Sequence, residues 1–176
     1  MLNIDNLRIR RIESNDASFL TDLRSDFDVN SMLGHFIFPT EESQAEWIKL
    51  ISKNTECMYF ILEKNEKDSS ISIGIIRVNH IDYINRSCSV GGDIAADFRG
   101  KGYGKTMFKI IFELCFNYLN MHRLWLHVLE NNTKAIKLYK KVGFTEEGLQ
   151  RQAVFRKGKY LDYIMMSILR NEAKKI

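Results

Sequence analysis

The chain has 176 residues, 45% of them hydrophobic, enough for one filled core and too few for two ordinary domains, so a single domain over residues 1–176 is expected. A formal net charge of +4 suits a phosphorylated small ligand and falls short of the basic stripe of a nucleic-acid binder, so no nucleic-acid partner is expected. Cys57, Cys88 and Cys115 are widely spaced and indicate neither a disulfide framework nor a metal site. With no basic-then-apolar leader and no run of about 18 apolar residues, the expectation is a cytoplasmic protein with no membrane partner.

Leu7, Ile9 and Ile12 alternate with arginines and predict a first strand, followed by a helix over 17–25 whose apolar face is Phe19, Leu20 and Leu23. The stretch 27–40 carries Met32, Leu33, His35, Phe36 and Phe38 without a clean period and reads as a loop. Its large apolar residues either line a substrate pocket, making Met32, His35, Phe36 and Phe38 candidate acceptor contacts, or plug the core beneath. Thr40 caps a second helix running through Trp47 to about Lys53. Short strands then follow at Met58 to Leu62, Ile71 to about His80 and Ser87 to Ala95, an antiparallel meander.

The last of these strands feeds the segment Asp97 to Lys105, which places Gly100, Gly102 and Gly104 among Arg99, Lys101 and Lys105 ahead of a helix. Such a turn directs backbone amides and a helix N-terminus at an anion, with the basic side chains adding formal charge. The spacing is neither that of a P-loop nor that of a dinucleotide fingerprint. Tyr103, Met107, Ile110, Ile111, Leu114 and Tyr118 recur at helical steps, and Leu124 to Leu129 predicts the next strand. Strand, helix and strand in succession imply a right-handed crossover and one parallel pair, with ligand at the carboxyl ends of its strands.

Residues 131–143 read as a capped helix with a glycine stop, on which Asn132 and Tyr139 share a face at about 100° per residue. On spacing alone, Tyr139 fits a core position as well as a catalytic one. Phe144 to Phe155 and Tyr160 to Leu169 form a closing hairpin, whose apolar runs could pair with a second subunit, so a homodimer is possible.

Ile94 to Gly104 together with Asn132, Ala135, Ile136, Tyr139, Gly143 and Phe144 resembles the two motifs of the GNAT superfamily of acetyl-CoA-dependent N-acetyltransferases, in the same order over nearly the whole chain. The helix around Leu23 and Arg24, the Trp47 helix and the hairpin 155–160 resemble the branch holding spermidine, ribosomal-protein N-terminal and amino-sugar-nucleotide acetyltransferases. The resemblance implies an α/β fold: a mixed, mostly antiparallel sheet of six to seven strands, a parallel pair splayed at the cofactor site, and about four flanking helices. It implies acetyl transfer from acetyl-CoA to a primary amine of a small molecule or protein N-terminus, by direct attack through a tetrahedral intermediate and without a metal. Gly92, Asp93 and Ile94 would pair with the pantetheine arm, and Arg99, Gly100, Lys101, Gly102, Tyr103, Gly104 and Lys105 would hold the pyrophosphate. Ile94 would donate its amide to the thioester oxygen, Asn132 would bind pantetheine or fix the strand opening, and Tyr139 would protonate the departing thiolate.

Ser89 stands where many relatives of that family place a base glutamate. Asp93, His80, His127 and a water chain are the alternatives for the base, and none is assigned from sequence. The aromatic 27–38 stretch fits an amphipathic or anionic acceptor, whereas a polyamine calls for clustered carboxylates, of which Asp26, Asp28, Glu41 and Glu42 are the early examples. The alternative of a different class is a non-catalytic acyl-CoA sensor.

Overall fold

A computed structural model describes residues 2–33 and 36–173. Eight strands form one sheet in the order β1-β2-β3-β4-β5-β6-β8-β7: β1 Asn3–Ile4, β2 Leu7–Arg11, β3 Met58–Asn65, β4 Ser70–Asp82, β5 Ser87–Ile94, β6 Arg123–Leu129, β7 Thr145–Arg156 and β8 Lys159–Leu169. Six neighbouring pairs are antiparallel, and β5 with β6 is the parallel one. The expected six to seven strands become eight because the two-residue β1 adds to the edge at β2.

Helices cover both faces. On one lie α1 Ala17–Ser25, α2 Phe27–Met32 and α3 Glu41–Ile51, which bury Leu20, Leu23, Val29 and Ile48 against Ile61 and Ile75 of the sheet. On the other, α4 Tyr103–Phe112 and its π-helical continuation Glu113–Tyr118 bury Met107, Phe108, Ile111 and Phe116 against Leu62, Ile76, Val90 and Leu124. Beside it packs α5 Thr133–Lys141. Burying each such side chain is worth about 1.5–3 kcal/mol, so the long apolar face of α4 makes this layer the main core.

The second helix of the first layer replaces part of the expected loop. Asp26 accepts hydrogen bonds from the amides of Asp28 and Val29, a side-chain cap that starts α2 where apolar periodicity gives no signal. Including α2 there are five α-helices among the described residues, against about four expected. Thr40 caps α3 by a reciprocal pair with Ser43, as its sequence context predicts.

β5 and β6 pair only from Ser87 to Ser89 against Arg123 to Trp125, and beyond Ser89 they splay apart. Alternation of side chains along β5 sends Val90 and Ile94 toward α4, while Asp93 and Ser89 face the α1–α3 side. Helix α4 begins at the wide end of this opening.

Candidate active site

The splay opens a cleft of about 1130 Å³ lined by β4, β5, β6 and the first turns of α4 and α5. Its backbone chemistry follows from register. The Ala95 amide donates to Ile73, so residues 95, 93 and 91 spend their backbone groups on β4, and alternation turns those of Ile94, Gly92 and Val90 toward β6. Beyond Ser89 no strand of the described residues meets them there. Gly92 therefore presents a donor and an acceptor to an extended ligand and Ile94 its amide, the Ile94 carbonyl accepting from Arg99 Nε at 2.9 Å, whereas Asp93 is bonded to Ile75 by its backbone and to Arg77 by its side chain. A Cβ at Gly92 would stand 2.6 Å from the Ile75 carbonyl and 2.6 Å from Met107 Sδ, so only glycine permits this close layering.

At the wide end, Gly100 and Gly102 have φ of +75° and +86°, and Gly102 starts α4 in the left-handed region without any side-chain cap. The first turn of a helix has unpaired amides and a partial positive charge, and here that turn lines the cleft, with the Lys105 amide donating to the Gly102 carbonyl. Nothing lies within 4 Å of a Cβ built on Gly100 or Gly102, so the loop surface is open to a ligand. Gly104 sets α4 against α5, since a Cβ there would meet Leu138 Cδ2 at 2.9 Å.

The other expected loop residues divide. Lys105 lines the cleft, while Lys101 lies over the Phe98 ring at 5.6 Å and Tyr103 packs toward Phe98 and the core, neither of them in the lining. Arg99 lines the cleft, but its side chain is held by the Ile94 carbonyl at 2.9 Å and by Asp26 at 2.6 Å, and its amide donates to Ala96. Burial pushes the Asp26 carboxyl up, yet the hydrogen bonds from Arg99, Val29 and Asp28 outweigh it and hold the group below the usual carboxylate range. Arg99 thus fastens the loop to the start of α2.

On α5, Asn132 lines the cleft and caps its own helix by accepting from the Ala135 amide at 3.2 Å, which leaves its amide nitrogen for other contacts. Tyr139 lines the same cleft two turns on, its ring wedged edge-on against Phe108 at 5.4 Å and beside Phe144 at 5.9 Å. Burial, reinforced by the Asp93 charge and partly offset by Arg77, pushes the Tyr139 phenol up to about 12. It stays protonated across the physiological range.

On the α1–α3 side stand groups that sequence reasoning did not assemble. Arg77 of β4 donates to both carboxylate oxygens of Asp93. Ser89 Oγ lies 3.2 Å from His80 Nδ1, and His80 sits in the left-handed region at φ +51°, where a bulge interrupts β4–β5 pairing. A lone arginine inside the apolar run 71–78 is the one sequence signal that marks Arg77. Of the candidate acceptor contacts, Met32 lines the cleft. Phe36 and Phe38 lie outside it, stacking with the exposed Phe27 in an edge-to-face chain at 5.9 and 5.3 Å, and His35 lies outside the described residues. Among the described residues no group of three or more His, Cys, Asp or Glu could hold a metal ion.

Residues 6–145 match the family model of the acetyltransferase (GNAT) domain. The chain belongs to the GNAT acetyltransferases. It is 31% identical to the spermidine N(1)-acetyltransferase of Vibrio cholerae over 94% of both chains, and 30% identical to an uncharacterized N-acetyltransferase, p20, of Bacillus licheniformis over 97% of both. A crystal structure of the Vibrio cholerae spermidine N-acetyltransferase in complex with CoA and spermine superposes with a TM-score of 0.89 at 28% identity, covering 96% of this chain and 98% of the other. The GNAT fold therefore includes the splayed parallel pair, and the protein is an acetyl-CoA-dependent acetyltransferase. The open glycine loop, the backbone of Gly92 and Ile94 and the protonated Tyr139 fit that co-substrate.

Proposed function

We propose that the protein acetylates the primary amine of a small molecule, working as one domain. The observation that carries this reading is the splay beyond Ser89, where the outward backbone groups of Gly92 and Ile94 and the phenol of Tyr139 line a single cleft. Acetyl-CoA supplies an activated acyl carbon and a thiolate leaving group. Gly92 and Ile94 extend the sheet along the pantetheine arm, and the amides around Gly100 to Gly104 with Lys105 hold the pyrophosphate. The Ile94 amide donates to the carbonyl oxygen as negative charge builds there, and Asn132 keeps the strands apart and offers its amide nitrogen to the arm.

The amine nitrogen attacks the acyl carbon, forming the C–N bond of a tetrahedral intermediate, which collapses with cleavage of the C–S bond. Tyr139 gives its proton to the departing sulfur. His80, its Nδ1 at Ser89 Oγ, takes the proton that the amine sheds, filling the role for which Ser89 itself has no basic group. His127, Arg77 and Asp93 line the same cleft.

The Vibrio cholerae relative is a spermidine N(1)-acetyltransferase, so a polyamine is one acceptor to be tested. Thiol release from acetyl-CoA with a panel of polyamines, amino sugars, arylalkylamines and free N-terminal peptides, beside a calorimetric titration of acetyl-CoA, tests the proposal. Turnover on a small amine is expected. Tight acetyl-CoA binding without turnover on any of them would instead favour an acyl-CoA sensor, and turnover confined to peptides would favour protein N-termini.

Two further elements belong to the proposal. The unpaired cysteines are compatible with a reducing cytoplasm. A homodimer formed through the exposed edge strand β7 is tested by light scattering, where a monomer mass would exclude it.

A further inference from the structure

Four rings form a row on the α1–α3 face of the sheet. His80 lies 5.5 Å from Trp125 with planes 34° apart, Trp125 lies 5.3 Å from His127, and His127 lies 5.6 Å from Tyr163 at 30°. His80, Trp125 and His127 line the cleft, and Trp125 is the β6 partner of Ser89, at the apex of the splay. Val29, Met32 and Leu33 from the α2 segment line the same cleft. Rings and aliphatic side chains thus form one wall of the acceptor end, with Arg77, Asn79, Ser89 and Asp93 beside them.

Charge points the same way. Only two carboxylates, Asp28 and Asp93, are in the lining: Asp93 is paired with Arg77, and Asp28, 3.9 Å from Arg99, is 87% exposed at the rim. A polycation held along its length needs a free carboxylate for each ammonium it buries, and the lining leaves only the exposed Asp28 for that. An indole face, by contrast, takes a flat apolar surface, with edge-to-face or offset stacking adding to the area it covers.

We infer that the acceptor is a monoamine bearing one flat apolar face, an aryl ring or the C–H face of an amino sugar, that lies on the Trp125 row with its nitrogen toward His80 and Ser89. This rests on the acetyl-transfer reading above and narrows its substrate away from polyamines.

The test compares tryptamine, glucosamine and spermidine as acceptors under identical acetyl-CoA, with acetyl-CoA binding followed separately by calorimetry. Tryptamine or glucosamine should be turned over with kcat/KM at least about tenfold above spermidine, and whichever of the two leads identifies the source of the flat face. Trp125→Ala should raise the acceptor KM about tenfold while leaving the acetyl-CoA Kd within about twofold, and Trp125→Phe, which keeps a ring, should recover most of the loss. Preference for spermidine, no turnover of either flat amine by protein that binds acetyl-CoA, or a Trp125→Phe variant as impaired as Trp125→Ala would overturn the inference. Spermidine turnover would leave the acetyltransferase reading standing; failure to bind acetyl-CoA would remove both.

Discussion

Arg77 and Asp93 sit diagonally across β4 and β5 and are joined through both carboxylate oxygens, so the one carboxylate that β5 contributes to the cleft is neutralised before any substrate arrives. The pair also sets the field at Tyr139, with Asp93 raising and Arg77 lowering the phenol's pKa. Asp93→Asn keeps the shape but leaves the Arg77 guanidinium uncompensated. With side-chain exposures of 21% and 15%, this should cost about 2–3 kcal/mol, below the full penalty of a dry ion pair. The Tyr139 phenol should titrate below about 12 once the carboxylate charge is gone. Thermal unfolding reads the first effect, and ultraviolet titration against Tyr139→Phe reads the second. An Asn variant as stable as the parent would show that the pair contributes nothing.

Tyr139→Phe isolates the phenol, because the ring contacts with Phe108 and Phe144 survive the change. If the hydroxyl delivers a proton to the leaving sulfur, kcat should fall about 10²–10⁴-fold while acetyl-CoA affinity changes less than about threefold. Steady-state kinetics paired with calorimetry separates the two. A turnover within a few-fold of the parent would assign Tyr139 to packing alone.

Gly102 tests the loop without a clash. A Cβ there meets nothing within 4 Å, so Gly102→Ala acts only through its φ of +86°, which an L side chain adopts at a cost of about 1–2 kcal/mol. The strain is relieved by twisting the amides at the start of α4 away from the cleft. Acetyl-CoA binding should weaken about five- to twentyfold, a free energy comparable to that strain, with a Tm drop of only a few degrees. An analogue lacking the pyrophosphate should lose correspondingly less than a desulfo analogue if the loop holds the phosphates as proposed.

The parts of this site that were legible in the sequence are those carried by consecutive residues. The glycine loop, the apolar face of α4 and the Asn132 to Tyr139 spacing on α5 each lie within one element, so periodicity and turn chemistry suffice to place them. The His80, Trp125, His127 and Tyr163 row was not legible, because it depends on three strands in register and on a bulge between Asn79 and Asp82 that redirects His80. Arg77 and Asp93 are 16 residues apart and meet only through β4–β5 pairing. Helix α2 was missed for a different reason: its start is dictated by one capping aspartate, not by a repeating apolar face.

Glu63 makes a prediction about stability away from the cleft. It is 5% exposed and accepts from Arg8 at 2.7 Å and from Arg10 at 2.8 Å, while Arg10 also holds Asp16, so one carboxylate ties β2 and β3 to the turn before α1. Burial raises its pKa, but the hydrogen bonds from Arg10 and Arg8 outweigh this and hold it below 4.5. A depressed carboxylate stabilises the fold above its unfolded pKa, and that stability is lost as pH falls through the folded value. Glu63→Gln should therefore cost about 1.5–3 kcal/mol at neutral pH, and the difference from the parent should shrink at a pH acid enough to protonate the depressed carboxylate. Denaturant unfolding at both pH values checks it; a gap that does not depend on pH would rule out the charge as its origin.

The two proton-handling groups can be tested separately. As an acid, Tyr139 works only when protonated, and with its phenol pushed up to about 12 it imposes no alkaline decline over the range in which the protein stays folded. The kcat profile should therefore stay level on its alkaline side, and a fall there that Tyr139→Phe removes would overturn the prediction. His80→Gln keeps a side chain able to bond Ser89 but cannot take a proton, so it should lower kcat about 10²-fold. Ser89→Ala, which removes the hydroxyl 3.2 Å from Nδ1, should cost less, since the ring loses an orienting partner and keeps its nitrogen. If His80→Gln left kcat near that of the parent, the base would have to be His127, which burial and the nearby His80 hold below the usual imidazole value, and His127→Gln should then lower kcat instead.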